Sequence, residues 1–318
     1  MGLKISKYRP RQIFRQLRRQ SPSENLHSFW SLIRGSVLRY FWRNRRFASA
    51  KSRGELFILA NGRETFLLST RDLAISSRLF AEGEFDFHKF ERAFAALGAR
   101  RLSTLLDIGA HVGPISIPAV KRKFSSRAVA VEPDRENFGL LQTNILMNGL
   151  EEKIVSINAV VGPSLDSVFE RLDGGSNTGD HRYAPTEHLP DQEASATTPT
   201  IVLDSFFEEI DVETSLLWMD IQGGEGLALE GARNLLEAGI PVVLELDPTL
   251  LEPNGGLSRG FSLLGGYASF VDLGSPFLEH QDVGSLGTFY AQALAAGTWH
   301  DLLFVPAGHF ESSPARMR

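Results

Sequence analysis

The chain contains no cysteine. That excludes a disulfide framework and any thiolate-bound metal. It also lacks an uninterrupted apolar run approaching the roughly 18 residues of a membrane span. No apolar segment with a small-residue cleavage site follows the basic N-terminus, so no export signal is read and a cytoplasmic protein is expected. Acid is nearly missing from one end. Residues 1–53 hold fourteen Lys/Arg and a single acid, Glu24, whereas the remainder holds nineteen bases against thirty-seven acids. The net charge of -5 therefore hides a basic arm on an acidic body. Such an arm can pack on its own body, lie on an anionic membrane face or meet a partner, including a second copy; nucleic acid is the least expected of these.

What is present falls into three parts. Residues 1–53 read as a basic helical arm. Its segment from about Leu26 to Phe47 mixes Phe29, Trp30, Phe41 and Trp42 with Arg34, Arg39, Arg43, Arg45 and Arg46. Residues 54–101 read as a cap. Asn61-Gly62 between two apolar runs predicts a β-hairpin, and helical stretches follow on either side of Gly83-Glu84-Phe85-Asp86. From Leu102 strands and helices alternate through about residue 310, with a polar insert over 162–199 that is too irregular for a core element. Strands are predicted at Thr104–Asp107, Ala128–Val131, Ile154–Val161, Leu216–Met219 and Val242–Leu244, and two later ones near Ala268–Leu273 and Asp301–Val305. Helices are predicted from near Pro114, over Glu136–Asn148 and over Glu225–Ala238. Apolar strands alternating with helices make an α/β fold with a mostly parallel sheet covered on both faces.

The first strand of that fold ends in Asp107-Ile108-Gly109-Ala110-His111-Val112-Gly113-Pro114. A strand, a tight glycine turn and a helix start form the nucleotide pocket of open α/β sheets. A dinucleotide fingerprint needs G-x-G-x-x-G. Here His111 and Pro114 stand at the second and third glycine positions, so a pyrophosphate is disfavoured. The turn suits a ligand with an amino-acid group, with Asp107 facing an ammonium. Glu132, nineteen residues after Gly113, ends the second strand and is placed to accept both hydroxyls of a ribose. Together these features select S-adenosylmethionine over a nicotinamide dinucleotide.

From Leu105 to Glu245 the chain also resembles FkbM-family methyltransferases. The likeness rests on ordered blocks: the Asp107 turn; Val131-Glu132-Pro133-Asp134 through Asn137; Leu141 with Asn144 and Asn148-Gly149; Ile157 to Gly162; Leu203-Asp204-Ser205-Phe206; and Leu217-Trp218-Met219-Asp220-Ile221-Gln222-Gly223-Gly224-Glu225 with Leu229-Glu230-Gly231-Ala232. It implies a class I methyltransferase fold, Rossmann-like with a seven-stranded sheet, and O-methylation of a small-molecule or glycan hydroxyl. By motif position it implies that Asp107, Gly109 and Gly113 border the methionine part, Glu132 the ribose, and Asp134 and Ala159 the adenine; His111, in the cofactor turn, is expected to make a ligand or loop hydrogen bond. Asp220 is the expected base and Glu225 the second candidate. His181 and Glu245 are expected on the acceptor side, and no metal site is predicted. Two departures stand out: Trp218 and Gln222 replace the lysine and acid common in the family. They leave open a catalytically silent scaffold. Pro118 is expected to bend the second turn of the first helix.

Overall fold

The structure is a computed structural model and describes residues 40–172, 182–186 and 198–307. His181 and most of the basic arm lie outside these residues.

A helical stretch at 40–52 leads into the hairpin β1 (Phe57–Asn61) and β2 (Thr65–Ser69), joined through Gly62, Arg63 and Glu64. Helices α1 (Ile75–Glu82) and α2 (Phe87–Ala96) follow. The main fold then runs β3 (Leu102–Ile108), α3 (Ser116–Lys121), β4 (Ser125–Val131), α4 (Arg135–Met147) and β5 (Ile154–Ile157). Three short pieces, β6 (Val160–Val161), β7 (Phe169–Leu172) and β8 (Arg182–Pro185), precede β9 (Thr200–Ile201) and β10 (Leu216–Met219). The chain ends through α5 (Glu225–Glu230), α6 (Arg233–Glu237), β11 (Val242–Leu246), α7 (Pro248–Leu251), β12 (Tyr267–Asp272), β13 (Gln281–Asp282), α8 (Leu286–Ala296) and β14 (His300–Pro306).

The central sheet has the order β13-β12-β14-β11-β10-β3-β4-β5. Five strands from β5 to β11 are parallel; β14, β12 and β13 complete the edge antiparallel. Two-residue β13 makes the eighth strand where seven were expected. Successive side chains alternate between two cores. Leu105, Trp218, Val243 and Leu303 face the side covered by the cap and by α3 and α4, while Leu106, Leu217, Leu244 and Phe304 face α5, α6 and α8. The cap is thus part of one core, with Phe47, Phe66, Phe87 and Phe90 buried in it. Trp218 joins them, its ring 5.9 Å from that of Phe90.

Polar side chains lock the cap down. Arg122, from the end of α3, donates to both oxygens of Glu64 at the hairpin turn (Nε–Oε1 2.8 Å, Nη2–Oε2 2.6 Å) and to Glu84 at 3.2 Å. From α4, Asn144 accepts from Leu67 N (2.6 Å) and donates to Leu67 O (3.3 Å) and Val112 O (3.0 Å). One turn on, Asn148 accepts from Thr65 N (3.1 Å) and donates to Thr65 O (2.7 Å). Four helical residues advance about 6 Å and two strand residues about 6.8 Å. Amides at i and i+4 therefore reach alternate residues of β2.

Several boundaries differ from the sequence reading. The strand predicted over Ile154–Val161 ends at Ile157, because Asn158 turns aside to donate its amide to Glu132 O and Pro133 O (2.8 and 2.9 Å). The helix predicted over Glu225–Ala238 breaks at Gly231. A Cβ there would lie 2.4 Å from Gly162 O, and the Asp204 carboxylate restarts the helix by accepting from Asn234 N and Leu235 N. α3 begins only at Ser116, so Pro118 occupies the first turn rather than the second, where a missing N–H costs little.

Candidate active site

The strand order reverses between β3 and β10, and a cleft opens at their carboxyl ends, as expected for a ligand site in an open α/β sheet. It holds about 730 Å³ of empty space, counting its open mouth. Gly109 and His111 from the turn after β3, Glu132 and Pro133 after β4, and Asp220, Ile221 and Gln222 after β10 line it. Ala159, Val160 and Val161 line a further wall, with Phe169 and Tyr183 from the β7–β8 hairpin.

Gly109 is required by close approach. At φ +84° a Cβ would stand 2.0 Å from the Asp220 carbonyl oxygen, so only glycine lets these strand ends meet. Gly113 serves the interior instead. Its missing side chain makes room for Ile117, and it does not reach the cleft.

The carboxylates divide by what holds them. Glu132 lines the cleft, and each of its oxygens accepts a backbone N–H, His111 at 2.8 Å and Asp134 at 2.9 Å. Burial pushes it up to about 7, against the pull of those two bonds. Asp107 is fully enclosed and accepts from Ser116 N at 3.0 Å, which ties β3 to α3; burial, with Asp220 adding repulsion, raises it to about 7. It stands behind the cleft wall rather than among the residues that line it. Asp134 is likewise withdrawn: it caps α4 through Glu136 N and Asn137 N and pairs with Arg171 at 2.8 Å.

Glu225 accepts from Ile221 N (2.9 Å) and Gly223 N (3.0 Å) and is 1% exposed. Both oxygens brace the loop after β10. Glu245 sits one hydrogen bond behind the cleft wall. Gln222 Nε2 donates to Asp220 Oδ1 at 2.8 Å and to Glu245 Oε2 at 3.0 Å. Burial, then repulsion from Asp220, Glu225 and Asp301, pushes Glu245 up to about 10, although Lys89 opposes this. Lys89 itself is held by Asp301 and, at 2.8 Å, by Asp86. No cluster of His, Asp and Glu arranged to hold a metal is found among the described residues.

Of the expected site residues, the structure brings Gly109, His111, Glu132, Ala159 and Asp220 to one cleft. It places Asp107, Gly113, Asp134, Glu225 and Glu245 behind its walls, and His181 lies outside the described residues. Sequence reasoning missed Phe169, Tyr183 and Ile75. The aromatic residues of the short segments Phe169-Glu170-Arg171-Leu172 and Arg182-Tyr183-Ala184 were the available signal, hidden by the Gly/Ser-rich residues between them and by the lack of any alternation in either.

Residues 107–262 match the family model described as the methyltransferase FkbM domain. Among solved structures, the methyltransferase FkbM from Methylobacillus flagellatus KT is 18% identical over 64% of this chain and 43% of its own, with a TM-score of 0.36. The M. jannaschii tRNA m1G37 methyltransferase is 13% identical over 79% of this chain and 55% of its own, at 0.35. The C-terminal domain of precorrin-6Y C5,15-methyltransferase from Rhodobacter capsulatus is 14% identical over 67% and 84%, at 0.34. The chain thus spans less than half the length of the Methylobacillus protein. No curated protein matches it.

Proposed function

We propose, from the match of residues 107–262 to the methyltransferase FkbM domain, that this chain methylates a hydroxyl oxygen of a sugar-containing or glycan acceptor, with Asp220 as the base. S-adenosylmethionine is the cofactor of the family, and the cleft residues fit it. Glu132 presents a carboxylate at the end of β4, where a ribose is held in this architecture. Val131, Pro133, Ala159, Val161, Phe169 and Tyr183 make an apolar and aromatic slot beside it. The cofactor supplies an electrophilic methyl group on a sulfonium.

The chain supplies position and proton removal. The observation that carries the reading is the Asp220 carboxylate on the cleft wall, with Oδ1 fixed by Gln222. An alcohol is a poor nucleophile until its proton has somewhere to go. In this reading Asp220 takes the acceptor O–H proton; with the cofactor bound, the methyl–sulfur bond would break as the oxygen–carbon bond forms, and a neutral thioether would leave. Trp218 fills the core and Gln222 anchors the base, so neither departure from the family pattern removes a group this step needs.

The test is Asp220→Asn. Calorimetry should show unchanged S-adenosylmethionine affinity, while turnover falls about 100-fold or more. Normal turnover would remove Asp220 as the base. For the acceptor, mass spectrometry of glycans from cells with and without the gene should show a one-methyl difference. Intact cofactor binding without transfer to any hydroxyl would favour a silent scaffold.

A further inference from the structure

We propose that the helical stretch 40–52 docks this protein on an anionic lipid surface. One side of the helix belongs to the core. Phe47 is 3% and Ala50 1% exposed, and the Phe47 ring lies 5.8 Å from that of Phe80. At 100° per residue, Phe41 and Arg45 project to the opposite side, with Trp42 next to them. Phe41 is 52% and Trp42 63% exposed, and their rings meet edge to face at 6.1 Å. Arg45 lies over the Phe41 ring, 5.7 Å from its centre.

Two adjacent aromatics displayed on an arginine-rich helix match a bilayer interface in both chemistries. Aromatic rings enter at headgroup depth, while guanidinium groups meet phosphates and keep their charge in water. Charge complementarity selects the occupant. No acid falls within 40–54; of its five bases, Arg45 stands on the aromatic face, Arg43 and Arg46 lie over the Phe80 ring, and Lys51 and Arg53 follow at the end of the helix. The first acid after them, Glu55, is paired with Arg53 at 2.7 Å. Residues 1–39 add nine more bases and one acid. The protein's own acidic body is not the occupant of this face, because the body already holds the opposite one: Arg43 donates to Asn61 O and stacks near Phe80. The helix packs on α1 through Phe47 and Phe80, and neither Phe41, Trp42 nor Arg45 lines the cleft.

The experiment is co-sedimentation of the full chain with phosphatidylcholine vesicles, with and without phosphatidylglycerol. Binding is expected only with phosphatidylglycerol and should weaken as salt rises. Phe41→Ser/Trp42→Ser should lower partitioning at least ~10-fold with an unchanged melting temperature, because both side chains are exposed. Should that variant melt early, brominated phosphatidylglycerol provides the second measurement: it should quench the native protein, and Trp42→Phe should be quenched measurably less; equal quenching of the two would overturn the proposal. Equal binding to neutral vesicles, full binding by the double variant, or retention on RNA or DNA but not on vesicles would each overturn the proposal.

Discussion

Asp220 and Glu245 share one amide donor, Gln222, which bonds the first at 2.8 Å and the second at 3.0 Å. Gln222 holds this position with a left-handed backbone, φ +54°. A neutral donor between two acids both orients Asp220 and separates the carboxyl groups. In Gln222→Glu a third acid replaces that donor. Like-charge crowding then moves the acidic limb of the pH–rate profile to higher pH and lowers turnover at neutral pH. A pH series of kcat, with cofactor affinity measured in parallel, checks this. An unmoved profile would mean that Gln222 does not act through Asp220.

Stability should fall as the solution becomes more basic. Burial raises Asp107, Glu132 and Glu225 to about 7, Asp301 to about 6 and Glu245 to about 10. In the unfolded chain the same groups lose their protons near 4. Between those limits the folded protein binds more protons than the unfolded one, so raising the pH favours unfolding. Thermal melts without ligand should therefore show a higher midpoint at pH 5.5 than at pH 8. Glu245→Gln, which imitates the protonated acid, should leave stability near pH 7 almost unchanged and flatten the decline above it.

Arg122 and Glu64 are 4% and 1% exposed at their side chains. Removing Glu64 takes two hydrogen bonds from the buried Arg122 guanidinium and leaves it only the longer contact with the more exposed Glu84. Glu64→Gln should cost roughly 3–5 kcal/mol by chemical denaturation. The double variant Glu64→Leu/Arg122→Met should recover much of that loss, because no uncompensated charge remains.

Asn144→Ala should cost roughly 1–3 kcal/mol, since it strips partners from Leu67 and Val112 backbone groups. Hydrogen exchange should speed up at the Leu67 amide before it does at strand β3. Unchanged protection at Leu67 would show that other groups hold the hairpin.

The sheet was legible because its strands are short apolar runs ending at acids: Asp107, Glu132, Asp220 and Glu245 each mark a strand end or the residue next to it. What those acids do was less legible. Periodicity places a carboxylate at the end of a strand but does not say whether a loop amide will claim it. Glu225 and Asp134 are consumed by such amides, whereas Asp220 lines the cleft. The aromatic wall was lost for another reason. Phe169 and Tyr183 meet only through a hairpin whose two arms are separated by polar sequence, so neither arm carries a core-length pattern.

The amides of Asn144 and Asn148 have an effect beyond fastening the cap. A lone hairpin usually offers its outer backbone to any passing strand, and this is a common route to edge-to-edge aggregation. At Thr65 and Leu67 that template is already occupied by side chains of a helix, which cannot propagate a ladder. The same two residues that anchor the hairpin therefore make its β2 edge inert toward other chains, and solubility there depends on two amides rather than on charge.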